Sequence, residues 1–171
     1  MSAREPTEHN VACIASVCIA GLGCRASASV DDILAVIGQA LTRDSLQAAD
    51  LSALACIPAR ADHPAIQAAA TRLGLPLVVA DPAALAAMAG ACLTRSGASL
   101  AATGLPSASE AAALAVAGPD GARLLGPRSA SPTATCAIAV NDAKSQGAPA
   151  VRVQFSNTSL ILKTFDHLDQ Q

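Results

Sequence analysis

Gly21-Leu22-Gly23-Cys24-Arg25 closes an apolar run and opens onto a serine-rich stretch that leads into a helical pattern, IAGLGCRASASVDDILAVIG. Two glycines, a thiol and a guanidinium at a strand end suit four chemistries: a phosphate cradle, a catalytic cysteine, a metal site or a pocket for carboxylates. The phosphate cradle is incomplete. Ala26 stands where G-x-G-x-x-G needs its last glycine, and no Gly-Lys-Ser/Thr follows, so neither nucleotide fingerprint is present. The remaining chemistry is physical rather than motif-based. Gly21 and Gly23 would let a ligand approach the backbone, Ser29 starts a helix whose first N–H groups are unpaired, and Arg25 supplies a planar fork for carboxylates. These features favour an anion; a plain strand-to-helix turn is the other reading of the same glycines.

Cys24 is the thiol of most catalytic interest, because a helix N-terminus and Arg25 would lower its pKa. Its base would be His63, which follows another strand in IPARADHP, although a histidine opening a helix also serves simply as a cap. No CxxC pair exists, and Cys13-x4-Cys18-x5-Cys24 fits no standard iron–sulfur spacing, so no metal and no cofactor are expected. Arg60 and Asp62 cluster with His63, Arg95 and Ser96 lie in a long polar segment, and Arg128 precedes Ser129, Ser131, Thr133 and Thr135. These are either solvated loops or the parts of one concave, carboxylate-binding face at the ends of several strands.

Those residues need elements to hold them. Val11–Ala20 reads as a strand buried on both faces, followed by a helix capped by Ser29 with Asp31 and Asp32 in its first turn. Val30, Ile33, Leu34, Ile37 and Leu41 form its apolar stripe. Leu51–Ile57 and LPLVVA are two more strands, with a helix between them that starts at Pro64 and ends at Gly74. Asp81-Pro82 opens a short helix through Met88. Residues 89–106 lack clear periodicity, and so long a connection is usually functional or mobile. Ser107-x-x-Glu110 is a capping-box pattern that starts another helix, ending at Gly118. Ala122–Leu125 and Thr135–Val140 complete the strands. The alternation predicts an α/β fold: a single three-layer α/β/α domain with a mixed, mainly parallel sheet. Residues 1–10 are read as a flexible N-terminus, 11–140 as the domain, and 141–171 as a linker and tail of weak mixed periodicity.

Composition narrows the function. The 171 residues carry a formal net charge of −2, with 52% hydrophobic residues and 1% aromatic. Low net charge and the lack of a basic run argue against nucleic acid, and the absence of Trp and Tyr removes a base-stacking surface. No apolar run approaches the roughly 20 residues of a membrane span, and the acidic N-terminus is unlike a secretory signal, so a cytoplasmic location is expected. In that setting Cys13, Cys18, Cys56 and Cys136 act as small reduced hydrophobes in strands. The core must come from Ala, Leu, Val and Ile, which predicts close packing through alanine.

In order along the chain, GLGCR, ACIPARADHPAI, LGLPL, TRSGASLAATGLPSASEAAAL, LLGPR and TATCAIA resemble the CobE / CbiG C-terminal domain family of cobalamin biosynthesis. The likeness runs from about Val11 to Val140. The family often has Lys where this chain has Arg60 and Arg128, and an acid where His63 stands; Glu110 matches it. CbiG-type proteins carry a further domain ahead of this one, so a stand-alone member of the aerobic, late-cobalt route is expected. The resemblance implies a three-layer fold and a tetrapyrrole ligand, hydrogenobyrinic acid or a related precorrin, with other pathway enzymes as partners. Such a ligand is a broad apolar ring fringed with carboxylates, suited to arginines and open backbone. A carrier or accessory role is the leading expectation. A CbiG-like hydrolase acting at or after ring contraction is the alternative, and a purely structural partner is the third.

Overall fold

The computed structural model describes residues 16–142, and its framework is a six-stranded sheet with helices on both sides. The sheet is built from β1 (Val17–Cys24), β2 (Ala53–Cys56), β3 (Leu77–Val79), β4 (Ala122–Leu124), β5 (Ser129–Ala130) and β6 (Ala134–Asn141). Its order is β3-β2-β1-β6-β4, with β5 beside β6. β1 pairs in parallel with β2, and β2 with β3. β6 runs antiparallel to β1, β4 and β5. The sheet is therefore mixed, and β6 alone is reversed.

Side-chain alternation along the strands divides the core into two. Cys18, Ala20 and Leu22 of β1, Leu54 and Cys56 of β2, and Cys136, Ile138 and Val140 of β6 face α1 (Val30–Arg43) and α2 (Pro64–Leu73). On the other face Ile19, Ala53, Ala55 and Ala139 meet α3 (Pro82–Met88) and α5 (Ala108–Ala117). This second face is built mainly from small residues. α5 is alanine-rich and buried on nearly every side, as a helix apolar all round must be. The expected packing through alanine is what the structure contains.

Helix ends follow the local chemistry. Ser29 caps α1 in a full capping box with Asp32, Pro64 opens α2, and Gly74 ends it at φ +65°, where a side chain would be strained. Asp81 caps α3 through two backbone N–H groups.

Several expectations need correction. Gly21 and Gly23 lie inside β1, because β1 pairs with β6 as far as Cys24 and that ladder outweighs the glycines' poor strand propensity. The strand begins at Val17, and residues 11–15 of the expected strand lie outside the described residues. Residues 89–106 are not one irregular loop: they contain a 3₁₀ turn at Ala89–Ala91 and α4 (Gly97–Thr103), capped by Ser96. Asn141 is no linker residue. It ends β6, fully buried, and its amide donates to the carbonyls of Ala117 and Asp120. Of the expected tail, residues 143–171 lie outside the described residues, as does Cys13.

Candidate functional site

A hollow of about 480 Å³ opens where β1 and β2 end and β6 begins. β1 contributes Gly23 and Cys24, with Arg25 just beyond, and the turn after β2 contributes Arg60. Ser96 and the Ala98–Thr103 part of α4 form a second wall, and Arg128 with residues 130–135 forms a third. An apolar hollow of about 600 Å³ adjoins it, and the two share Ile57, Ala102 and Thr103. Both volumes fall within the roughly 300–1,000 Å³ range of small-molecule sites.

Backbone contacts hold the arginines in place. The Arg25 amide donates to the Thr133 carbonyl at 2.8 Å, which joins the loop after β1 to the loop before β6. Arg60 Nε donates to the Cys24 carbonyl at 2.8 Å. Arg43, paired with Asp44, also donates to the Pro127 carbonyl and so fixes the turn that leads to Arg128. Among the described residues, Arg43, Arg72 and Arg123 form ion pairs with carboxylates. Arg25, Arg60 and Arg128 form none, and all three line the hollow.

The two glycines have different roles. A Cβ on Gly21 would lie 2.0 Å from the Ser109 carbonyl oxygen and 2.6 Å from the Ala113 nitrogen, so Gly21 admits the α5 backbone, not a ligand. Gly23 lines the hollow, where a Cβ would meet only the Thr135 hydroxyl closely, at 2.6 Å. Ser29 faces away from the expected task as well: its hydroxyl accepts from the Asp32 amide, and the Asp32 carboxylate accepts from the Ser29 amide. Two amides at the start of α1 are thus taken by its own capping box, and Ser29 does not line the hollow. Asp62 and Arg95 are exposed and do not line the hollow.

Cys24 and His63 do not form a nucleophile–base pair. His63 Nδ1 accepts from the Ala65 amide at 3.3 Å, which assigns the ring proton to Nε2, 3.1 Å from the Arg25 carbonyl. His63 is therefore the cap of α2 and a brace for the Arg25 loop, with neither nitrogen left for the thiol. Burial pushes the Cys24 thiol up, and the nearby Arg60 charge offsets only part of this. The expected depression by a helix N-terminus and Arg25 is not observed. Cys56 and Cys136 are pushed up to about 12 by desolvation, consistent with inert core thiols. Cys18, Cys24, Cys56, Cys92 and Cys136 are all free. No group of three His, Cys, Asp or Glu side chains able to hold a metal occurs among the described residues.

Glu110 is the residue that sequence reasoning undervalued. Ser107 accepts from its amide, but its carboxylate does not return to the Ser107 amide as a capping box requires. It turns inward, wholly buried, and accepts from the amides of Leu93, Thr94 and Arg128 and from the Thr94 hydroxyl. The family likeness at this position was the available signal; the local pattern pointed to the wrong partner.

The description "Cobalamin synthesis G C-terminus" fits residues 18–139, which include every strand and helix around the hollow except the last residues of β6 and the first of β1. Protein CobE from Sinorhizobium sp is 35% identical over 121 residues, covering 71% of this chain and 78% of that protein. The chain belongs to the cobalamin synthesis G C-terminus family. Solved structures agree with this family assignment. The crystal structure of CobE, a protein from the cobalamin (vitamin B12) biosynthetic pathway, matches with a TM-score of 0.69 and 36% identity over 73% of this chain and 90% of that one. Cobalamin biosynthesis protein chiG from Agrobacterium tumefaciens matches with a TM-score of 0.58 and 41% identity over 73% and 98%. A putative cobalamin biosynthesis protein G homolog from Sulfolobus solfataricus, at 19% identity and a TM-score of 0.55, shares the fold alone and is covered over 36% of its length. Membership of the cobalamin synthesis G C-terminus family gives this chain a role in cobalamin biosynthesis.

Proposed function

We propose that the protein binds a carboxylate-rich tetrapyrrole intermediate of cobalamin biosynthesis, a precorrin or hydrogenobyrinic acid, as a carrier or accessory protein. One observation carries this reading: Arg25, Arg60 and Arg128, without carboxylate partners among the described residues, line a single hollow beside Gly23. Guanidinium groups bind carboxylates through paired, charge-assisted hydrogen bonds. The adjoining apolar hollow, bordered by Leu85 and Ala89, suits the ring that bears those carboxylates. Cys24 and His63 supply no thiol–imidazole pair, which favours holding over hydrolysis at this site.

The test uses the protein's own transparency. With no Trp and no Tyr, it absorbs little in the near ultraviolet, and a bound corrinoid dominates the spectrum. Hydrogenobyrinic acid mixed with the full chain is expected to elute with it on gel filtration as a coloured complex. Arg25→Ala is expected to weaken binding by roughly tenfold or more, equivalent to losing a charge-assisted contact of about 1.5–3 kcal/mol. A colourless protein peak at ligand concentrations well above the micromolar range would overturn the reading, as would unchanged affinity in variants of all three arginines.

A further inference from the structure

Glu110 presents an unusual arrangement for a buried acid. Its side chain is fully enclosed, and no ion pair is formed with it among the described residues. Four donors take its place, two on each oxygen. Oε2 accepts from the amides of Leu93 at 2.7 Å and Thr94 at 2.9 Å. Oε1 accepts from the Thr94 hydroxyl at 2.6 Å and the Arg128 amide at 3.0 Å. Burying a carboxylate is expensive unless such bonds satisfy it, and a helix cap alone would need none of them.

The donors come from two segments that are far apart in sequence. Leu93 and Thr94 lead into Ser96 and α4, one wall of the hollow; Arg128 stands in another. Few other contacts tie α4 down. None of its residues is buried, and its links include Ser99 Oγ accepting from the Ala108 amide and the Ser96 amide donating to the Pro106 carbonyl. On the far side, Arg43 holds the Pro127 carbonyl one residue before the amide that Glu110 holds. The peptide preceding Arg128 is thus gripped at both ends, which fixes where that guanidinium leaves the backbone.

We infer that Glu110 is a positioning residue: its carboxylate couples the segment before α4 to the turn at Arg128 and sets the spacing between two walls of the hollow. The consequence for ligand affinity rests on the reading under Proposed function; the coupling itself does not. Glutamine in its place keeps one acceptor oxygen but turns an NH₂ group toward donors, so the four bonds cannot all persist.

Two measurements on the full chain test this. In amide hydrogen exchange, Glu110→Gln is expected to release Leu93, Thr94 and Arg128 together, by about tenfold or more, while Ile138 and Ala139 in β6 keep their protection. In hydrogenobyrinic acid binding, Glu110→Gln is expected to cost about tenfold. Combined with Arg128→Ala, it should weaken binding by clearly less than the product of the two single effects, because part of what Glu110 does passes through Arg128. A merely structural glutamate would leave affinity intact in the folded variant, or its loss would multiply with that of Arg128→Ala; either result overturns the inference. If Glu110→Gln does not fold, Thr94→Val removes one donor of the four, and is expected to speed exchange at Arg128 and weaken binding about threefold; no change at Arg128 overturns the inference. Should the wild type bind no hydrogenobyrinic acid, the proposed function falls, and exchange alone decides: joint release supports the coupling and independent behaviour refutes it.

Discussion

Arg60 shows how a charge is aimed by backbone carbonyls. Its Nε donates to the Cys24 carbonyl and its Nη1 to the Ala59 carbonyl, which holds a cation in the hollow beside the thiol. That cation lowers the Cys24 pKa against the larger rise caused by burial. Removing it has a definite sign: Arg60→Ala is expected to push the thiol further up and slow alkylation of Cys24 at fixed pH, read by peptide mapping of the modified site. Faster labelling would mean that Arg60 mainly shields the thiol. Asp32 works in the opposite direction. Hydrogen bonds from Ser29 hold its carboxyl below the ordinary value of 3.8. A carboxylate depressed on folding stabilises the protein above its unfolded pKa, and that contribution disappears as pH falls through the folded one. Asp32→Asn is therefore expected to lower the unfolding midpoint at neutral pH and to make less difference at acid pH, as the folded carboxyl takes up its proton. An equal loss at both pH values would assign the effect to geometry rather than charge.

At the scale of elements, the contact between β1 and α5 decides how closely the layers approach. Gly21 lets the α5 backbone sit where a side chain would otherwise be, and Ala113 is packed against it. Gly21→Ala forces a methyl into backbone atoms that cannot turn aside, so the layers must separate; overpacking of this kind costs roughly 1–3 kcal/mol and sometimes more. A large fall in denaturant midpoint, or failure to fold, is the expected outcome. Gly23→Ala meets mainly a hydroxyl that can rotate, so it is expected to fold while narrowing the hollow and weakening ligand binding. Equal stability losses in the two variants would refute this division. The contrast also shows what local pattern leaves undetermined. Gly21 and Gly23 sit on the same face of β1, two residues apart, and only the position of α5 along the strand makes one a packing residue and the other a site residue. Cap chemistry, by contrast, is local: Ser29, Pro64, Gly74 and Asp81 could be assigned from neighbours within a few residues. Glu110 looked equally local through its spacing from Ser107, yet its carboxylate went to donors brought in by distant loops.

For the whole molecule, charge distribution matters more than charge. The chain carries a net −2, yet three guanidiniums with no ion pair among the described residues gather on one hollow at one end of the sheet. A local field of this kind draws anions against the overall sign, and salt screens it once the Debye length falls to about 10 Å or less. Affinity for hydrogenobyrinic acid is expected to fall steadily as ionic strength rises above about 0.1 M; insensitivity to salt would assign binding to the apolar hollow instead. Fold class, most helix limits, the reduced state suited to buried cysteines and the arginines worth watching were legible along the chain. Hydrophobic period, caps and turn residues report on neighbours along the chain, so they reveal elements well. Tertiary structure alone decided that β6 runs back between β1 and β4, and this reversal brings Arg128 and Thr133 beside Arg25. It also took both ring nitrogens of His63 out of play and aimed Glu110 at two loops. Strand pairing and buried hydrogen bonds are contacts between residues distant in sequence, and no local pattern encodes which of them will meet.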